Sequence, residues 1–292
     1  MSFLSGLSAQ NVVPEPFPHL VVDDVLPQAL ADELARTFPP LRSFTRWKPY
    51  GSNQKIYRPA PAVLADPRVS LSWKSYLAPL GASILGDCLR LFGPHLLAEY
   101  PDFEARFGRL ESLRLTAHDP KGPGPEVFLS SMLQVHTPVL DEPSIERGPH
   151  VKVTRSVFLG YLNLRLPGDA SDGADQMLYS ARPGAALEFD HTQATNPALL
   201  EPRRIVPRRH NSLFLFMNSA RSIQGLTARA VTPFPLVAHH FVLRVGEPLF
   251  ELSLAPGVRL IEPGNRWSLS RTVRVLRENA HRRVRLRLRR SP

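Results

Sequence analysis

The chain has 292 residues, 43% of them hydrophobic, which is enough to bury a substantial core without covalent staples. Its single cysteine, Cys88, excludes an intramolecular disulfide and a cysteine-built zinc site, and fits a reducing compartment. The formal charge of +10 is unevenly placed: residues 265–292 hold ten arginines and one acid, Glu278, a net of +9, which leaves about +1 for residues 1–264. A nearly neutral body with a basic C-terminal appendage does not read as a nucleic-acid-binding domain. No run of about 18 apolar residues and no cationic leader is present, so the expectation is a cytoplasmic protein without a membrane partner.

In chain order, residues 14–27 read as a strand bracketed by prolines, and Pro27 stands where a first helical turn tolerates it. Residues 28–38 place Leu30, Leu34 and Phe38 on one helical face, closed by Pro39 and Pro40. A second helix is expected over 72–92, with Trp73, Leu77, Leu80, Ile84, Leu85, Cys88 and Leu91 as its apolar stripe. In that stripe Cys88 reads as a small buried hydrophobe.

Beyond Phe107 the pattern changes to short β-rich runs at 110–117, 131–137, 157–166, 176–180, 185–189, 212–217, 222–226 and 236–245. Eight such strands separated by Pro, Gly and Asp predict an α+β, predominantly β domain, a sandwich or barrel covered on one face by the N-terminal helices. The acidic loop 165–175 reads as a hairpin connection, with calcium binding the sharper alternative. The expected organisation is one domain over 1–264 and a basic helix or tail over 265–292. In the tail, 267–279 suits a helix, and 282–290, which alternates arginine with apolar residues, suits an edge strand, an anionic-surface contact or a disordered tail.

Separated blocks, Pro16-Phe-Pro-His-Leu-Val-Val-Asp-Asp-Val-Leu-Pro27, His136-Thr-Pro-Val139 through Arg147-Gly-Pro-His-Val151, and 211–235, resemble bacterial 2-oxoglutarate/Fe(II) oxygenases of the prolyl-hydroxylase group over residues 14–247. The resemblance implies a double-stranded β-helix, or jelly roll. It also implies an iron site of two imidazoles and one carboxylate, in a His-x-Asp motif followed by a distant histidine. Here His150 is kept, Lys152 stands at the carboxylate position and Gln224 at the distal histidine. A protonated amine has no lone pair and repels Fe²⁺, and a neutral amide is a poor substitute for imidazole. Halogenating relatives also lack the carboxylate, but they keep both histidines.

The family's basic residue for the far carboxylate of 2-oxoglutarate is also missing from the expected position, Leu236-Val237, leaving Arg229 and Arg244 as substitutes. Tyr161, Asn163 and Arg165 share a strand face that would line a barrel if turned inward. The resemblance thus implies a degenerate oxygenase expected to hold neither Fe(II) nor 2-oxoglutarate. Lys152 would replace the missing cation and pair with an acid or an anionic ligand. The protein would bind a small polar or anionic molecule, or stabilise an active oxygenase paralogue or biosynthetic enzyme, with oligomerisation open.

One rival is an active oxidoreductase holding metal through a displaced set drawn from His150, His136, Asp190, His191 and one of His239 or His240. The other is an anionic-polymer-binding protein that uses the arginine tail. Phosphate loops, a Gly-x-Ser-x-Gly elbow and His-Glu-x-x-His are absent from the sequence.

Overall fold

The computed structural model describes residues 4–45, 50–140, 142–144 and 147–258. The helix expected over 267–279, the basic stretch 282–290 and the boundary at 264 lie outside them. Among the described residues no helix is long and apolar enough to cross a membrane.

The chain opens with strand β1 (His19–Val22) and helix α1 (Gln28–Arg36). The Pro27 backbone directs the chain into α1, which buries Ala31, Leu34 and Ala35. Short helices α2 (Leu41–Thr45) and α3 (Ala60–Leu64) flank strand β2 (Lys55–Pro59). The helix expected over 72–92 is two helices, α4 (Leu71–Leu77) and α5 (Leu80–Glu99). Pro79 cannot donate to the preceding turn, so the chain breaks at Ala78-Pro79. By contrast α5 runs through Pro94, because burial of Leu91, Phe92 and Leu96 outweighs a break that costs roughly 3 kcal/mol. Trp73 of α4 is fully buried and its indole donates to the Leu34 carbonyl at 3.0 Å, tying α4 to α1. Helix α6 (Phe103–Phe107) ends the helical layer.

Nine strands follow: β3 (Arg114–Thr116), β4 (Glu126–His136), β5 (Arg147–His150), β6 (Ser156–Leu164), β7 (Gln176–Ala181), β8 (Leu200–Val206), β9 (Ser212–Met217), β10 (Ile223–Leu226) and β11 (Leu236–Arg244). They form two sheets. The larger has the order β1-β9-β6-β11-β4-β2, with β3 beside β4, and the smaller has the order β5-β10-β7-β8. Apart from the β7-β8 pair, successive strands from β4 to β11 cross from one sheet to the other. This alternation is the double-stranded β-helix, in a domain dominated by strands.

The central strands of the larger sheet are covered on both faces. One face, including Leu133, Leu162, Leu215 and Phe241, packs on the helices. The other, including Leu159, Tyr161, Phe214 and Phe216, meets Leu178 and Val206 of the smaller sheet. Alternation along each strand sends neighbouring residues to opposite faces. Phe241 stands directly opposite Gly160, and a Cβ at 160 would lie 2.2 Å from its ring.

The run 185–189 is not a strand: it is irregular, with only isolated bridges from Phe189 to Thr195 and Leu254. Alanines at 185 and 186 have little β propensity. The partner of β7 is instead β8, an edge strand that carries Pro202 and two arginines. The run 110–117 divides into a 3-10 turn, Leu110–Ser112, and the three-residue β3.

Candidate anion site between the two sheets

One end of the space between the sheets holds a cavity with about 540 Å³ of empty space, its mouth to solvent included. The paired ends of β2, β4 and β11 form one wall: Lys55 and Leu236 both stand opposite His136. Tyr161 and Asn163 of β6 also line the cavity, and the smaller sheet contributes His150 and Gln176. Lys152 enters from the turn after β5, and Arg208 from the turn after β8.

Among the described lining residues the formal charges are of one sign. Lys55, Lys152 and Arg208 line the space, and among the described lining residues there is no Asp or Glu. Arg208 is buried, with Nη2 donating to the carbonyls of Leu164 at 2.8 Å and Val237 at 3.3 Å. Burial draws its pKa down to about 9, with Asp169 and Asp175 opposing and Arg229 and Arg165 adding to the fall. The guanidinium therefore remains charged at neutral pH.

His150 and Lys152 form a directed pair. The carbonyl of Gly148 accepts from His150 Nδ1 at 3.0 Å, which leaves the lone pair on Nε2. Lys152 Nζ donates to that lone pair at 2.9 Å. The same Nζ lies 5.9 Å from the centroid of the Tyr161 ring. Tyr161 is stacked on His240, with centroids 4.2 Å apart and planes 10° from parallel. His240 donates from Nδ1 to the Gly160 carbonyl at 3.1 Å, and burial, then the charge of Lys55, holds its pKa well below the usual imidazole range; Lys152 and His239 add to the fall.

Gln224 is the direct cross-strand partner of His150 and of Leu178, so its side chain shares their face and points between the sheets. It is buried, and neither Oε1 nor Nε2 has a hydrogen-bond partner among the described residues. Gln134 Oε1 and Arg208 Nε are in the same condition, although the Gln134 amide donates to His136 Nε2 at 3.1 Å. Each unmet buried polar atom costs about 1–3 kcal/mol, so these groups favour a polar occupant.

Of the residues singled out from sequence, His150, Lys152, His136, Tyr161 and Asn163 line one cavity, and Gln224 borders His150. Arg229 does not line it. It is buried at 1% exposure and clamps the chain by donating to the carbonyls of Thr137 and Phe234. Arg244 lies at the other end of β11, opposite Phe128. His239 faces the helices, where its ring nitrogens bond the Tyr76 hydroxyl and the Ser131 hydroxyl, each at 2.9 Å.

Asp190 caps its own turn by accepting from Thr192 and Ala194, and His191 beside it is exposed. Thus the displaced ligand set is not assembled: among the described residues no three His, Cys, Asp or Glu side chains are grouped to hold a metal ion. This holds for the loop 165–175 too, which is pinned by Arg165 donating to the carbonyls of Ser171 and Arg208. Sequence reading missed Lys55 and Arg208, which sit on or just after the unrecognised strands β2 and β8. A usable signal was the scarcity of lysine: of five in the chain, two line the cavity.

No protein-family model and no curated protein matches the chain. Solved structures similar to it include a prolyl-4-hydroxylase of Pseudomonas putida, at 11% identity over 77% of this chain and 91% of that one, with a TM-score of 0.41. Two more are the non-haem alpha-ketoglutarate-dependent epimerase SnoN and carbocyclase SnoK of nogalamycin biosynthesis. SnoN is 16% identical over 87% of this chain and 89% of its own, TM-score 0.43. SnoK is 14% identical over 82% and 86%, TM-score 0.42. The fold assignment rests on the strand order given above.

Proposed function

We propose that this protein binds a small organic anion in the cavity between its sheets, on a double-stranded β-helix that has exchanged an iron site for a lysine. The observation that carries the reading is the 2.9 Å contact from Lys152 Nζ to His150 Nε2. The lone pair with which an imidazole would ligate a metal is already accepting a hydrogen bond from an ammonium. Gln224 beside it offers an amide, and the described lining residues offer no carboxylate. This donor set does not fit Fe²⁺, which favours imidazole and carboxylate donors.

The same residues fit an anion. Lys55, Lys152 and Arg208 bring positive charge to a partly enclosed space, where charge-assisted hydrogen bonds are strong. Asn163 and Gln176 add neutral donors and acceptors to the wall, and Tyr161 and Phe214 add apolar surface. Loss of two ligand positions within a preserved β-helix suits a protein whose role is binding, since chemistry resides in sites and not in folds.

The test is thermal and calorimetric titration of the full chain with pyruvate, succinate and 2-oxoglutarate, alongside metal analysis and Co²⁺ titration of the same preparation. The expected result is stabilisation by at least one anion, about 2.7 kcal/mol at a concentration 100 times Kd, and loss of that effect in Arg208→Met. Stoichiometric metal that disappears in His150→Ala, with no response to any anion, would sink the proposal.

A further inference from the structure

We propose that Lys152 is a nucleophilic amine that traps the carbonyl group of small oxo acids as an imine, with His150 as its base. This inference rests on reading the cavity as an anion site and adds a covalent step to it. The arrangement has the three parts that an activated nucleophile needs. They are an attacking atom, Lys152 Nζ; a base within hydrogen-bond reach, His150 Nε2 at 2.9 Å; and a group that orients the base, the Gly148 carbonyl 3.0 Å from Nδ1. Because Nδ1–H is committed to that carbonyl, Nε2 is the ring atom that carries the lone pair able to take a proton, and it faces Lys152. The geometry is short in sequence as well: base and nucleophile are two residues apart, at the end of β5 and in the turn that follows.

The substrate class follows from the rest of the wall. An amine selects an aldehyde or ketone, and the cations Arg208 and Lys55 on the same cavity select a carboxylate carried by the same molecule. A compound with both groups is an oxo acid. In the step, the ammonium of Lys152 passes a proton to His150 Nε2, and the freed Nζ lone pair attacks the carbonyl carbon as the carbon-oxygen π pair moves to oxygen. A second proton passes from nitrogen to that oxygen to give the carbinolamine, whose hydroxyl then leaves as water with the proton held by His150, while nitrogen keeps its third proton. Ammonium and carbonyl become protonated imine and water, with no change in oxidation state and no further reactant. Tyr161, whose ring is stacked on His240 beside Lys152 Nζ, supplies a flat wall against which a planar imine can lie.

The experiment is reductive trapping. The full-length protein is incubated with pyruvate and cyanoborohydride, the reagent supplying the hydride that fixes an imine as a stable secondary amine, and adducts are mapped by peptide mass spectrometry. The expected result is one adduct per chain on Lys152 in preference to Lys48, Lys55, Lys74 and Lys121. Acetone, which has a methyl group in place of the carboxylate, should label at least about tenfold more slowly. Lys152→Arg should keep a cation but give no adduct at that position. His150→Gln, which can still accept a hydrogen bond but not a proton, should slow trapping about 100-fold and flatten its pH profile.

Even labelling of all five lysines would overturn the proposal. So would pyruvate that stabilises the fold without labelling Lys152, and in that case the anion site stands. If none of pyruvate, succinate and 2-oxoglutarate stabilises the protein and Lys152 is not labelled, both readings fall.

Discussion

Lowering the pH to about 5 should destabilise this protein through histidines that are buried uncharged. His239 is enclosed between the helices and the larger sheet, where burial draws its pKa down to about 3. His240, on the adjacent position but the opposite face, is also held well below the usual range by burial, and by Lys55 and Lys152. In the unfolded chain both titrate near the ordinary value of about 6.5. Their stabilising effect is therefore complete above that value and is lost as pH falls towards the folded-state pKa, because only the unfolded state takes up protons in between.

From about pH 7 to about pH 5 His239 should remove about 2 kcal/mol from a total that in domains is typically 5–15 kcal/mol, and His240 adds to the loss in the same direction. His19, also depressed chiefly by burial, acts in the same direction. Carboxylates with depressed values, such as Asp66 between Arg58 and Arg68, enter only as pH falls below about 4.5. Urea unfolding at the two pH values, followed by circular dichroism, measures the difference. His239→Gln should remove about 2 kcal/mol of it. Equal stability at the two pH values would refute the reasoning.

Arg229→Ala should cost about 3 kcal/mol in urea unfolding, because the carbonyls of Thr137 and Phe234 lose a charged donor inside the fold; a normal unfolding midpoint with weakened anion affinity would show a ligand-binding role instead. Lys152→Asp combined with Gln224→His places a carboxylate and an imidazole beside His150, and Co²⁺ titration should then give the visible absorption of one bound ion per chain. A folded double variant that binds no Co²⁺ would show that the cavity wall has been rebuilt beyond its ligands. Tyr76→Phe removes the hydroxyl partner of His239 Nδ1 and should cost about 1–2 kcal/mol by thermal melting; no change would mean that the bond contributes nothing.

The central strands were legible in the sequence because they are apolar and bounded by turns: 212–217 coincides with β9, and 236–245 with β11 to within one residue. Of the edge strands only β1, inside the run 14–27, was legible. β2, β5 and β8 carry lysine, glycine, proline and arginine, residues that keep an unpaired sheet edge from joining a second chain and that also erase the period-two pattern. The site followed the same division. His150, Lys152 and Gln224 were singled out from their motifs, and the register makes His150 and Gln224 neighbours across strands. Lys55 and Arg208 belong to the edges and were invisible with them. Arg229 and Arg244 could be found in the right part of the chain, but the direction of an arginine side chain depends on which carbonyls lack donors, and sequence alone does not show that.

Two identical imidazoles in succession create an ambiguity in β11 that some other contact must resolve. Were the strand to slide by one position, one site would still receive a histidine while the other received Ala238 or Phe241, and the imidazole that still matched could not by itself fix the register. Phe241 can. Its ring needs a stretch of bare backbone on β6, and Gly160 is flanked by Leu159 and Tyr161, whose side chains would obstruct the displaced ring. One glycine, with no atom in the cavity, thereby works as a keyway: it admits the strand in a single alignment and so decides which of the twin histidines stacks on Tyr161 and which meets Tyr76.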